Sequence, residues 1–261
     1  MTPDDGLALE FITDKNGIYQ PMRSPGISQG AFEVPSEGVS IGGQCTFTTR
    51  LTATRRTISN RMKIRRWGAG LVIFGSGDYR RSNVRVAFQP AEQIESRASI
   101  RYFAGVDRAG QPTWSAREED AAQLFDQPCV GEFSVSYNRF IRKWIMLCNC
   151  TGGKSRGINL RTADQPWGPW SAAQILFEPW DDNGYCNFMH AAWTFRKCDS
   201  VHDANRENVW GGEYGPYQFE DFATGDSSAT TIYFTLSTWN PYTVVLMKAT
   251  LQKRDFSLRS K

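Results

Sequence analysis

From Leu71 onward the chain is written as short apolar or alternating runs cut by turn residues. LVIFGSG (Leu71 to Gly77) is continuously apolar until its glycines, the pattern of a strand buried on both faces. NVRVAFQP (Asn83 to Pro90) alternates and stops at proline, and IRYFAG (Ile100 to Gly105) follows. EFSVSY (Glu132 to Tyr137) and KWIMLCNC (Lys143 to Cys150) predict a hairpin across Asn138-Arg139. GINLRTA (Gly157 to Ala163), TTIYFTLST (Thr230 to Thr238) and YTVVLMKATL (Tyr242 to Leu251) complete the series. Upstream, LALEFIT (Leu7 to Thr13) alternates into a hairpin turn at Asp14 to Gly17, and AFEVP (Ala31 to Pro35) is a further short strand. Only REEDAAQLF (Arg117 to Phe125) carries a helical period. The fold class these runs predict is all-β.

Two internal echoes narrow the architecture. Gln111-Pro112-Thr113-Trp114-Ser115 leads to Leu124-Phe125, and Gln165-Pro166-Trp167-Gly168-Pro169-Trp170-Ser171 leads to Leu176-Phe177. GEFSV followed by KWIMLCN is matched by GEYGPY followed by TIYFTLS: a Gly-Glu pair ahead of an alternating, aromatic-rich strand. Units of roughly 40–50 residues holding several short strands each are what propeller blades look like in sequence. A single propeller domain over residues 1–261 is therefore expected, with residues 46–68 as a basic irregular connector and 252–261 as a tail. The aromatic rings of Trp167, Trp170 and Trp239 are expected to pack between blades.

Composition changes this picture little. The aromatic load, Trp 9, Tyr 9 and Phe 16, suits both β-structure and the stacking of sugar faces. A net charge of +3 gives no reason to expect a nucleic-acid partner, and the arginine-rich run at 46–68 lacks an interleaved recognition pattern. There is no apolar run of about 18 residues, so no membrane partner is expected. The opening MTPDDGLALEF has neither the basic nor the apolar region of a signal peptide. Of the cysteines, only Cys148 and Cys150 are close in sequence, and their spacing is not that of a zinc or redox site. His190 and His202 are the only histidines, so no metal site is expected, and the cysteines read as buried thiols with at most one disulfide.

The stretch that carries chemistry is Gly211 to Tyr217, GGEYGPY, where Glu213 sits among glycines and tyrosines. Glycosidases need two carboxylates across the scissile bond, and in a propeller these sit at the starts of innermost strands, at the mouth of the channel. Glu213 and Glu132 qualify by position. An apolar aromatic wall raises a carboxyl pKa, which makes Glu213 the acid of the pair. Tyr214 and Tyr217 are candidates to stack on sugar. His190 could line the cavity, Asn240 lies between two strands, and Asp78, Tyr79 and Arg80 follow a glycine turn. Asp78 also suits turn capping, and Arg80 an ion pair between blades.

The runs GSGDYRRSNVRVA, YFAGVDRAGQPTWS, GEFSVSYN, RGINLRTADQPWGPWS, GYCNFMH, GGEYGPY and STWNPYTVVLM together resemble the domain-of-unknown-function family 4185. That resemblance implies a five-bladed propeller related to glycoside hydrolases, and similarity to glycoside hydrolase family 183, whose members cleave D-arabinofuranan internally. It also implies an extracellular setting, a polysaccharide or oligosaccharide partner, and no cofactor beyond a structural calcium or sodium ion that the channel could hold. The Glu-x-Gly-Pro order at Glu213 resembles the general-acid region of related five-bladed glycosidases. The family's further N-terminal stretch with a GTDLG-like motif has no counterpart here. An incomplete propeller of about four blades is therefore expected, with exposed apolar blade faces. The rival expectation is a carbohydrate-binding propeller, or an inactive fragment, that lacks the catalytic base.

Overall fold

The computed structural model describes residues 68–78, 80–150 and 157–252, the backbone of strands at 34–41, 44–50 and 56–64, and a turn at Lys15 and Asn16. The strand expected at Leu7 to Thr13 lies outside the described residues. Fifteen strands appear in chain order. They are β1 (Val34–Ile41), β2 (Gln44–Arg50), β3 (Arg56–Ile64), β4 (Gly68–Ser76), β5 (Val84–Pro90), β6 (Arg101–Val106), β7 (Pro112–Ser115) and β8 (Val130–Asn138). After them come β9 (Lys143–Cys150), β10 (Gly157–Ala163), β11 (Gln174–Phe177), β12 (Glu213–Gln218), β13 (Thr224–Gly225), β14 (Ala229–Trp239) and β15 (Tyr242–Gln252). The described helical segments are single turns of 3-10 type, so the protein is all-β, and no described helix is long and apolar enough to cross a membrane.

β1 and β2 form a hairpin, β3 to β7 a five-stranded antiparallel meander, and β8 to β11 a four-stranded one. In the last sheet β14 pairs along its whole length with β15, while β12 and β13 share its other edge. No sheet closes on itself.

The sheets stack face to face, and period-two alternation explains how. On β9, Trp144, Met146 and Cys148 join a core with Val72, Phe74, Val86 and Phe88 of the five-stranded sheet. Ile145 and Leu147, one residue out of phase, join a second core with Ile232, Phe234 and Leu236 of the last sheet. Both faces of β9 are thus covered, and its sequence is correspondingly apolar at almost every position. The Gln-Pro echoes end in the first of these cores. Trp114 and Trp167 meet edge to face at 6.0 Å, and Trp170 lies 6.1 Å from Phe74. The first strands of successive sheets are neighbours: β1 lies against β3, β3 against β8, and β8 against β12.

Polar side chains lock β12 to β8. Ser134 Oγ donates to the Pro216 carbonyl at 2.5 Å, Ser136 Oγ donates to Gln218 Oε1 at 2.9 Å, and Gln218 Nε2 donates to the Ile145 carbonyl at 3.2 Å. Asn138 Nδ2 donates to Thr230 Oγ1 at 2.9 Å farther along.

Several sequence expectations are corrected. Residues 46–68 are not an irregular connector: they hold most of β2 and all of β3, and β3 pairs with β4 from Arg56 to Ile64. The arginines had obscured an alternation in which Ile58, Met62 and Ile64 recur at even positions. Arg117 to Phe125 is not a helix. After one 3-10 turn at Glu118–Asp120 the chain runs along the sheet, with the Ala122 amide donating to the Phe103 carbonyl and the Leu124 amide to the Val84 carbonyl. Its apparent period came from Ala122, Leu124 and Phe125 turning toward the first core. Trp239 is not packed between sheets: it is 53% exposed, and Tyr242, Val244 and Leu246 form an open apolar face with it on the last sheet.

Phe74 is fully buried and touches both Trp144 and Trp170, so it joins two sheets. Phe74→Ala is expected to cost about 3–5 kcal/mol, the scale of a large-to-small change in a closed core. Val244→Thr on the open face should cost about 0.5 kcal/mol or less. Urea denaturation of the two variants checks the contrast.

Candidate functional site

Glu213 opens β12, and Glu132 lies near the start of β8, so the two first strands present their acids at the same end. Sheet pairing explains this placement. The bulge between Val130 and Phe133 leaves Gly131-Glu132 out of register with β9, and the bulge between Tyr214 and Tyr217 does the same around Gly215-Pro216 on β12. Gly215 has φ of 63°, a conformation that glycine tolerates best, so the GEYGPY run is a bulged strand and not a turn ahead of one.

Arg80, on the connection between β4 and β5, reaches across from the first sheet. Its guanidinium lies 3.9 Å from the Glu132 carboxylate, which is 4% exposed. Close packing continues behind the pair: a Cβ on Gly131 would stand 2.5 Å from Asn149 Oδ1. Asn149 is 1% exposed, and neither amide atom has a hydrogen-bond partner.

Glu213 occupies a different environment. Burial raises its pKa first of all, and the nearby charge of Glu178 raises it further, against the opposing pull of its own backbone, of Arg80 and of the Gly157 amide. Glu178, 5% exposed, accepts hydrogen bonds from the Trp180 and Asp181 amides at 2.8 and 2.9 Å. The Tyr185 hydroxyl is pushed up by burial and then by the charges of Glu213 and Glu178, which sets the phenol beside both acids. Tyr214 is likewise pushed up, by burial, by Tyr242 and by Glu132. Glu132 and Glu213 thus both feel the charge of Arg80, and Glu213 also feels that of Glu178.

The remaining sequence candidates separate from this group. Tyr217 is 38% exposed, four residues along the same strand. Asp78 is exposed in the turn, with its carbonyl accepting from the Arg81 amide at 3.1 Å. Tyr79 lies outside the described residues. His190, expected to line a cavity, is instead sealed inside the protein. Its Nδ1 lies 2.6 Å from Asp199 Oδ1 and its Nε2 2.7 Å from the Glu207 carbonyl, so both ring edges are spent. Burial alone would raise the Asp199 pKa, but hydrogen bonds from His190 and from the Ala191 and Val201 amides hold it below the usual range. Asn240, also fully buried, accepts from the Asp203 amide at 2.9 Å and donates to the Arg206 and Val209 carbonyls. Both residues brace the long connection at 178–212 and do not face a ligand.

Cysteine chemistry also departs from expectation. Cys129 pairs with Cys150 and Cys186 with Cys198, two disulfides where one at most was expected, while Cys148 is a buried free thiol pushed up to about 12 by burial. The one cluster of metal-ligating residue types among the described residues is Cys186, Cys198 and Asp199, and the disulfide removes its thiolates. A cavity of about 360 Å³ lies elsewhere, against Ile73, Ala87 and Ile100 on the five-stranded sheet, with Arg85, Glu118 and Glu119 also in its lining.

A family model described as Domain of unknown function (DUF4185) matches residues 34–248. The chain belongs to this family. No curated protein matches it. Within this DUF4185 chain, the glutamates of the repeated Gly-Glu pair lie at or near the starts of the first strands of two successive sheets.

Glu178, Tyr185 and Asn149 were not singled out from the sequence. Phe177-Glu178-Pro179-Trp180, an acid wedged between rings and a proline directly after a strand, was the available signal for the first. Tyr185 and Asn149 offered none.

Because Glu213 has a folded-state pKa above its ordinary 4.5, ionising it costs the folded state more than the unfolded one. Its contribution to stability is therefore lost as pH rises above 4.5 through the raised value. Glu213→Gln should melt at or above the parent temperature at pH 7, with the gap closing below pH 4.5. Thermal melts across pH 4–8 check this; a variant less stable at pH 7 than at pH 4, relative to the parent, contradicts it.

Proposed function

We propose that this protein is a five-bladed-propeller-type glycoside hydrolase acting within a furanose polysaccharide of the D-arabinan type. Glu213 is the general acid and Glu132 the base or nucleophile. The observation that carries the reading is the unlike environment of the two acids: burial and then the charge of Glu178 raise the Glu213 pKa, while Glu132 faces the Arg80 guanidinium at 3.9 Å. Two carboxylates with environments that push them apart are how a glycosidase divides acid from base. The meander sheets, stacked with their first strands adjacent, support a propeller in which both acids stand at the channel mouth. The disulfides support a working place outside the reducing cytosol.

Arg80 then keeps Glu132 oriented, and Tyr214 and Tyr217 give the sugar a flat edge beside the acids. Glu178 adds negative charge, which raises the Glu213 pKa and suits a transition state with oxocarbenium character.

The purified chain should cleave arabinan oligosaccharides internally, and Glu213→Gln and Glu132→Gln should each lower kcat by roughly 10²–10⁴-fold, the scale of a lost acid or base. The basic limb of the pH profile should report Glu213, whose pKa is raised by burial, so Glu213→Gln should erase it. Tyr214→Ala or Tyr217→Ala should weaken oligosaccharide binding by about 1–2 kcal/mol by calorimetry. Hydrolysis that survives Glu213→Gln removes the acid assignment; binding with no cleavage by the parent chain makes the protein a carbohydrate-binding propeller.

A further inference from the structure

The connection between β11 and β12, residues 178–212, forms no strand and is longer than any other fully described connection between strands. Long connections of this kind in compact domains tend to be functional. This one is stiffened at several points. The Cys186–Cys198 disulfide closes it, the buried His190–Asp199 pair ties it within, and Asn240 clasps it to the end of β14. Gly211 passes so close that a Cβ would stand 2.3 Å from the Asn240 carbonyl oxygen.

What this rigid stage displays is aromatic. Trp180, Phe195 and Trp210 are 36%, 67% and 38% exposed. Their ring centroids lie 5.2 Å apart for Phe195 and Trp210, 5.8 Å for Trp180 and Phe195, and 6.1 Å for Trp180 and Trp210. Tyr185 joins the group at 4.7 Å from Trp180 and 5.2 Å from Trp210. Glu178 anchors the inner end of the group, its carboxylate accepting from the Trp180 amide at 2.8 Å, and its charge, with that of Glu213, adds to burial in raising the Tyr185 pKa. The rings therefore run from the Glu178 end of the connection out to the surface.

We propose that Trp180, Phe195 and Trp210 form a stacking subsite for a sugar residue of the glycan chain some distance from the bond that Glu213 and Glu132 act on. The inference rests on the carbohydrate reading above. A polyol fits this surroundings in a way an apolar partner does not. Its C–H face covers the rings, and its hydroxyls donate to the carboxylates at the inner end. A nonpolar protein surface laid here would strip the remaining water from the half-buried Glu213 without replacing its hydrogen bonds. Holding the rings in place before the ligand arrives removes much of the ordering cost of binding.

The test uses arabinan oligosaccharides of increasing length, titrated into the full chain carrying Glu213→Gln and read by tryptophan fluorescence and calorimetry. Affinity should rise with length, and the emission of Trp180 and Trp210 should shift with the longer ligands. Adding Phe195→Ala or Trp210→Ala should cut affinity for the long oligosaccharides by about tenfold, so that the dependence on length flattens. Phe195 is the more exposed of the two, so its removal tests stacking with little risk to folding, checked by the melting curve. Length dependence that survives both substitutions overturns the subsite, whether or not the parent chain cleaves. Loss of it in a protein that binds but never cleaves upholds the subsite and sinks the hydrolase reading. No binding at any length overturns both. Self-association abolished by Trp210→Ala, with glycan affinity unchanged, assigns the rings to a second copy of the chain and overturns the subsite too.

Discussion

The arrangement depends on an inner sheet, β8 to β11, that buries both of its faces. β9 shows the constraint in one strand: Trp144, Met146 and Cys148 belong to one interface, Ile145 and Leu147 to the next. A sheet so used cannot slide or slip register by one residue without exchanging its two cores. The stacking order then follows the chain order, and the first strand of each sheet is pressed against the first strand of the next. Acids at the starts of β8 and β12 are neighbours for that reason alone, although they lie far apart in sequence. The site is in this sense a product of core packing, assembled from the ends of strands whose interiors do the stabilising.

The same logic explains what could be read from the chain beforehand. Alternation and aromatic density made β4 to β6, β8 to β10, β14 and β15 legible, because burial on a pleated surface leaves a period-two trace. β3 was missed because charge counting overrode the alternation of Ile58, Met62 and Ile64. The segment at 117–125 was misjudged because apolar residues at helical spacing can equally be a chain lying along a sheet. The Gly-Glu repeat pointed to Glu132 and Glu213, and the structure brings both beside Arg80. His190 and Asn240 could not be separated from site residues in sequence, since a polar side chain near glycines looks the same whether it faces a ligand or a carbonyl. Glu178 and Tyr185 are recruited by a long connection whose path is set by its disulfide, the buried His190–Asp199 hydrogen bond and the bonds of Asn240.

The electrostatics of the group are lopsided. Glu132 faces the Arg80 guanidinium, while burial and the charge of Glu178 raise the pKa of Glu213. Such a balance disfavours anionic ligands and suits neutral molecules rich in hydroxyls, which can donate to carboxylates without adding charge. The aromatic surroundings press in the same direction, since they offer contact area while contributing few competing donors.

One feature far from the acids sets a property of theirs. Gln218 stands five residues along β12 from Glu213, and its amide bridges to Ser134, Ser136 and the Ile145 carbonyl of the neighbouring sheet. It acts as the spacer bar of a pair of tongs: the gap at the tips is fixed where the arms are riveted. In glycosidases a carboxylate gap of about 5 Å directs retention of the anomeric configuration, and one nearer 9 Å admits water and directs inversion. On the hydrolase reading proposed above, stereochemical outcome would depend on an amide that never meets the substrate, and lengthening or shortening that one side chain is the smallest edit able to shift the gap between the two acids.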